Sequence, residues 1–152
     1  MKKECGTCTK CCDGTLTGII RNIPMYPGKP CFLLKENGCS DYKNRPYQCV
    51  GYKCLWLKDP EVPDFMKPEN AKAIVDIETI NGIKYLRLTK SEEQYSYEIL
   101  EYALKYAEKN DLPFMWTDGE NKINFVGDYK TYHLIISHNQ DNYNDFLNKQ
   151  NI

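Results

Sequence analysis

Beyond residue 54 this chain of 152 residues contains no cysteine, and it has only two histidines in all, His133 and His138. Outside its first third, therefore, it offers no thiol nucleophile, no disulfide and no cluster of soft metal ligands. No run approaches the ~18 consecutive apolar residues of a membrane-spanning helix. The longest candidates are Leu16 to Ile20 and His133 to Ile136, so no membrane association is expected. Met1-Lys2-Lys3-Glu4 leads straight into Cys5 with no apolar stretch of secretory type, and the expectation is a cytoplasmic protein with reduced thiols. A phosphate-binding glycine loop, a nucleophile elbow and a recognisable carboxylate pair are also missing.

All eight cysteines lie between Cys5 and Cys54. In a reducing compartment such a density is better explained by metal than by disulfides, which rarely persist there. Cys5-Gly-Thr-Cys8-Thr-Lys-Cys11-Cys12 contains two-residue spacers that let a tight turn bring two sulfurs to one ion, as in zinc knuckles and iron–sulfur loops. Adjacent Cys11 and Cys12 point differently along the chain, which suggests that they address two metals or two edges of one cluster. A second group follows: Cys31, Cys39, then Tyr42-Lys-Asn-Arg45-Pro46-Tyr-Gln-Cys49-Val-Gly-Tyr52-Lys-Cys54.

Together the two groups resemble the cysteine-cluster family described as zinc- or iron-chelating domains. The shared pattern runs Cys-x-x-Cys-x-x-Cys-Cys, two separated cysteines, then Tyr-x-x-Arg-Pro-x-x-Cys and a last cysteine. The resemblance covers roughly residues 5–58, with all eight cysteines, Tyr42, Arg45, Pro46 and Tyr52. The stretch Cys54-Leu-Trp56-Leu, followed by Pro63-Asp64 and Lys67-Pro68, is similar to members whose domain continues into a β-rich tail. Val50 departs from the pattern, where many members carry a basic residue. The resemblance implies a metal site built from Cys5, Cys8, Cys11, Cys12, Cys31, Cys39, Cys49 and Cys54. Around it, Arg45 is expected to donate N–H bonds to sulfur or to loop carbonyls, Tyr42 and Tyr52 to pack with a hydrogen-bonding tip, and Pro46 to stiffen the turn before Cys49.

The fold expectation is α+β: an irregular, metal-held region over residues 1–58, packed as one unit with a small antiparallel sheet and one or two helices over residues 59–152. Pro24, Pro27, Gly28 and Pro30 interrupt the first region, which is too poor in periodic apolar residues to build a sizeable core. Asp59-Pro60-Glu61-Val62-Pro63-Asp64 reads as a semi-rigid connection. Ala71 to Ile80 and Ile83 to Thr89 flank Asn81-Gly82 and predict a β-hairpin. Ser91-Glu92-Glu93-Gln94 reads as a capping box opening a helix. Tyr95, Ile99, Tyr102, Ala103 and Tyr106 then form its apolar stripe, ending near Asn110. Pro113 to Trp116, Ile123 to Val126 and Thr131 to Ser137 read as strands, with a turn at Asp118-Gly119 and a terminal helix over Asp141 to Lys149.

Charge is uneven. Residues 1–59 carry ten basic and five acidic side chains, and the remainder ten and sixteen. A basic half can mark nucleic-acid binding. Here, though, eight thiolates with two divalent ions would bring that half to about +1 from its +5, so the excess cations offset sulfur charge and nucleic acid is not the expected partner.

Three functional readings follow. In the first, two zinc ions hold the region and the α+β part presents a surface to an unidentified protein or small molecule. In the second, an iron–sulfur cluster or iron centre serves redox or group-transfer chemistry, because Cys5, Cys8 and Cys11 with a distant fourth cysteine also suit a [4Fe–4S] cluster. The third is reversible thiol exchange through Cys11 and Cys12. Spacing alone does not separate zinc from iron.

Overall fold

The computed structural model describes residues 3–6, 8–36, 38–91, 93–117 and 122–150, the last eleven of these by backbone alone. The chain is α+β. Its Cys-rich third contains two small ribbons, β1 (Gly18–Ile20) with β2 (Ile23–Met25) and β3 (Leu34–Lys35) with β4 (Gly38–Cys39). Three short helices follow: α1 (Tyr47–Gly51), α2 (Leu55–Lys58) and α3 (Pro68–Ala71). Strands this short do not hold themselves together in water. The apolar cluster beneath them is correspondingly small, with Ile20, Met25, Cys31 and Leu33 buried.

The second region is built on β5 (Ala73–Ile80), β6 (Ile83–Lys90), β7 (Phe114–Thr117) and β8 (Ile123–Val126), in the spatial order β5-β6-β7-β8. The hairpin forms as the sequence predicts. Asn81 and Gly82 take φ of 47° and 80° at its turn, values that these two residue types adopt at little cost. The β5–β6 and β7–β8 pairs are antiparallel, whereas β6 and β7 run parallel. That one parallel pair follows from the crossover by α4 (Tyr97–Lys109) between them.

Strand alternation gives the sheet two faces. Ala73, Val75, Leu86, Leu88 and Phe114 face a core completed by Ile99, Ala103 and Ala107 of α4, and by Leu55, Trp56, Val62 and Met66. Ile80, Tyr85 and Met115 face the other way, onto Ile135 of α5 (Tyr129–Gln150). Among these same alternate positions Asp76 is only 1% exposed. Its Oδ2 accepts from the Tyr52 hydroxyl at 2.7 Å and from Arg87 Nη2 at 3.1 Å, and the same Arg87 nitrogen donates to Glu78 at 2.7 Å. Tyr52 thus reaches one face of the sheet while Leu55, three residues on, packs on the opposite one. The Cys-rich chain passes around the β5 side of the sheet between them.

Three expectations are corrected. The stretch over 59–64 is no mere connection, because Val62 is buried in the main core. The helix does not begin at Ser91: its hydroxyl donates to the Lys72 carbonyl at 2.7 Å and accepts from the Glu93 amide at 3.3 Å, forming a turn, and α4 opens six residues later. Thr131 to Ser137 is not a strand but part of α5, where the Asp128 carboxylate accepts from the Thr131 amide at 2.7 Å as an N-terminal cap. The helix expected over 141–149 is the far end of that same α5. The turn expected at Asp118-Gly119 lies outside the described residues. Among the described residues no helix is long and apolar enough to cross a membrane.

Candidate metal centre

Local turns start the assembly of the thiols. The Cys8 amide donates to the Cys5 carbonyl at 2.9 Å and the Cys12 amide to the Thr9 carbonyl at 2.9 Å, so residues 5–12 coil back on themselves twice. Gly14, at φ 100°, then lets the backbone pass within touching distance of Tyr26; a Cβ there would stand 2.4 Å from the Tyr26 carbonyl oxygen. The Cys31 amide donates to the Cys12 carbonyl at 2.8 Å and brings the second group onto the first. Ribbon β3–β4 places Cys39 opposite Leu34, and α1 carries Cys49 into the same cluster. Cys54 lies immediately before α2.

The thiols fall into two neighbourhoods. Cys12, Cys31, Cys39 and Cys49 pack together with the apolar side chains of Ile20, Met25, Leu33 and Leu16. Burial pushes the Cys49 thiol up, and the nearby sulfurs of Cys11, Cys31 and Cys39 push it further. Cys5, Cys8, Cys11 and Cys54 form the other. Burial raises Cys54 first, and the sulfurs of Cys5, Cys8 and Cys11 add to it. Cys11 stands between the two groups. The side-chain contact between the two lowers Cys11 and raises Cys12, and the Cys12 thiol donates to the Thr9 carbonyl at 3.3 Å.

Cations and amides surround the neighbourhood of Cys5 and Cys8. Burial raises Cys8, and backbone N–H groups of Lys10 and Glu69 draw it back down. Burial raises Cys5 too, against the opposing charges of Arg45 and Lys67. Lys67 Nζ bonds Glu69 at 2.9 Å and lies 5.0 Å from the Trp56 ring centroid. Lys3 Nζ stands at the same distance from that ring and donates to the carbonyls of Trp56, Asp59 and Val62 at 2.8, 2.7 and 2.6 Å. All three ammonium protons are thereby used, and the N-terminal arm is fixed to the segment that follows Cys54.

The residues named beside the cysteines occupy different places. Arg45 stacks on the exposed Tyr42 ring at 4.0 Å and its Nε donates to the Tyr42 carbonyl at 3.2 Å, while its charge acts on Cys5, Cys11 and Cys49. Tyr52 turns its hydroxyl to Asp76 rather than to sulfur. Burial and the Asp76 carboxylate raise its pKa. His133 packs edge-on against Tyr129 on α5, 4.3 Å away, and His138 of the same helix acts on Glu78. Sequence reasoning did not single out Glu69 or the cationic role of Lys67. The available signal was Pro68 at the first position of α3, which marks a helix start just before Glu69.

Eight thiols, unbridged to one another, with N–H groups facing sulfur, are the donor set that soft ions such as zinc or iron select. The sulfurs are neighbours rather than a closed coordination sphere: among the described residues no three Cys, His, Asp or Glu side chains stand in a metal-holding arrangement. The donor chemistry fits the group. A cavity of about 170 Å³ bordered by Arg87, Met115, Trp116 and Asn139 lies on the α5 side of the sheet, and no cysteine lines it. Comparison of the chain with protein-family models, with curated proteins and with solved structures finds no match.

Proposed function

We propose that this chain is a metal-binding protein of the zinc- or iron-chelating kind its cysteine pattern resembles, working in a reducing compartment. Two four-thiolate sites hold its first third in shape, one from Cys5, Cys8, Cys11 and Cys54 and one from Cys12, Cys31, Cys39 and Cys49. The observation that carries the reading is the sorting of eight unbridged thiols into two neighbourhoods, in a region whose own apolar cluster has only four buried residues. Tetrahedral closure by four thiolates makes a zinc site structural. The role is then to present a folded surface to a protein or small-molecule partner. Pairing with Cys54 supports a second reading for the first site, because three closely spaced cysteines plus a remote fourth also suit a [4Fe–4S] cluster and redox chemistry.

Anaerobic purification followed by metal and acid-labile sulfide analysis tests both. Two zinc ions per chain and no sulfide is the expected result. About four sulfides per chain would replace zinc by the cluster at one site. A chain that folds with neither metal nor sulfide overturns the proposal.

A further inference from the structure

Strand β8 ends the sheet on the side away from β5. Strand β7 is hydrogen-bonded along one of its edges, and among the described residues no strand lies along the other. Edge strands are commonly blunted by charge or by proline, yet Ile123-Asn-Phe-Val126 contains neither. Its apolar side chains also stand open, Ile123 at 48% and Val126 at 51% exposed, and Tyr129 at the start of α5 is 74% exposed. Alternation puts Ile123, Phe125 and Gly127 on the α5 side of the strand. There, with Tyr129 and Tyr132, they line a shallow hollow of about 360 Å³. Gly127 is bare for a reason: a Cβ would stand 2.8 Å from the Phe125 ring and 3.1 Å from Pro113 Cβ.

This edge is complementary to itself. When two copies of β8 lie antiparallel about a two-fold axis through Phe125, each Phe125 faces its counterpart and Asn124 faces Val126. Ile123 of one copy then falls opposite Gly127 of the other, on the face that holds the hollow, and supplies the side chain that Gly127 lacks. Lys122 is carried toward Asp128, so opposite rather than like charges meet at the two ends. Each contact is repeated with the copies exchanged, as a two-fold interface requires.

We infer that the chain pairs with a second copy of itself through β8, the two sheets joining into one and Ile123 of each copy filling the other's hollow. The inference is independent of the metal reading. Backbone hydrogen bonds supply the attraction, and the seating of Ile123 sets the register. Four residues a side is a small contact, below the size of stable interfaces, so the dimer forms and parts with concentration.

The test is sedimentation equilibrium of the full chain from low micromolar to millimolar concentration, with a reductant present so that no disulfide joins copies. Monomer should give way to dimer. Over the same range the amides of residues 123–127 should exchange hydrogen more slowly, while those of α4 stay unchanged. Ile123→Lys, at an exposed position, should keep the circular dichroism of the fold and raise the dissociation constant at least about tenfold. Leu104→Lys, on α4 and 39% exposed, should leave association as it was. A monomer throughout the range overturns the inference, and so does a dimer that tolerates Ile123→Lys. Should that variant not fold, a dimer of the unaltered chain whose β8 amides stay unprotected overturns it equally.

Discussion

Replacing Tyr52 by Phe removes one oxygen at the seam between the Cys-rich region and the sheet. The hydroxyl lost donates at 2.7 Å to Asp76 Oδ2, a carboxylate oxygen of a side chain 1% exposed. Asp76 Oδ1 has no hydrogen-bond partner among the described residues, so Oδ2 carries the whole of its pairing, shared between Tyr52 and Arg87. A hydrogen bond to a charged group contributes about 1.5–3 kcal/mol, and the stranded acceptor stays buried. We expect a loss of about 2 kcal/mol, or roughly 4–8 °C in Tm for a chain of this size. Asp76→Asn should cost more, about 3 kcal/mol, at the low end for a broken buried ion pair because Arg87 keeps Glu78. The assay is urea denaturation of both single variants and the double, giving a coupling energy. A Tyr52→Phe loss under about 0.5 kcal/mol, or additive single costs, would refute the claim that this bond joins the two regions.

Four further outcomes are expected. Gly14→Ala forces a Cβ to within 2.4 Å of the Tyr26 carbonyl oxygen at φ 100° and should destabilise by about 1–3 kcal/mol, read by the same denaturation. Leu55→Ala empties a core position 1% exposed and should cost about 2–5 kcal/mol. It should unfold the sheet and the post-Cys54 segment together, as seen by hydrogen exchange. Glu78 has its pKa raised above the ordinary 4.5 by burial and by Asp76, against Arg87 and His138. The folded chain therefore holds a proton that the unfolded chain releases, stability falls as pH rises from 4.5 toward the raised value, and Glu78→Gln should flatten that fall in denaturation midpoints. Cys31→Ser, in the apolar neighbourhood, should lower the zinc content and loosen residues 5–54 while leaving the β5–β8 sheet protected, measured by metal analysis and hydrogen exchange.

What the sequence made legible was local. Asn81-Gly82 marks its turn because both residues tolerate positive φ, and the stripe through Ile99 and Ala103 marks a helix because its period matches one face. Errors came where side chains answer to distant partners. Ser91 looks like a cap, yet its hydroxyl is taken by Lys72, nineteen residues back. Thr131 to Ser137 is rich in β-branched residues and reads as a strand, but Thr131, Leu134 and Ile135 also recur at helical spacing behind the Asp128 cap. The period was the better guide than the propensity. Val62 lies between two prolines and reads as linker because its burial depends on a core assembled from strands and a helix further along the chain. At the candidate site, the cysteine spacing pointed to a shared centre, whereas their sorting into two neighbourhoods depends on which loops fold over which sulfurs.

The course of the chain around the sheet carries one more implication. Strand β5 is one of the two edges of the sheet, so eight residues of its backbone are placed where a neighbouring strand could pair. Helices α2 and α3 pack beside that strand, which leaves a neighbouring molecule less room to approach it.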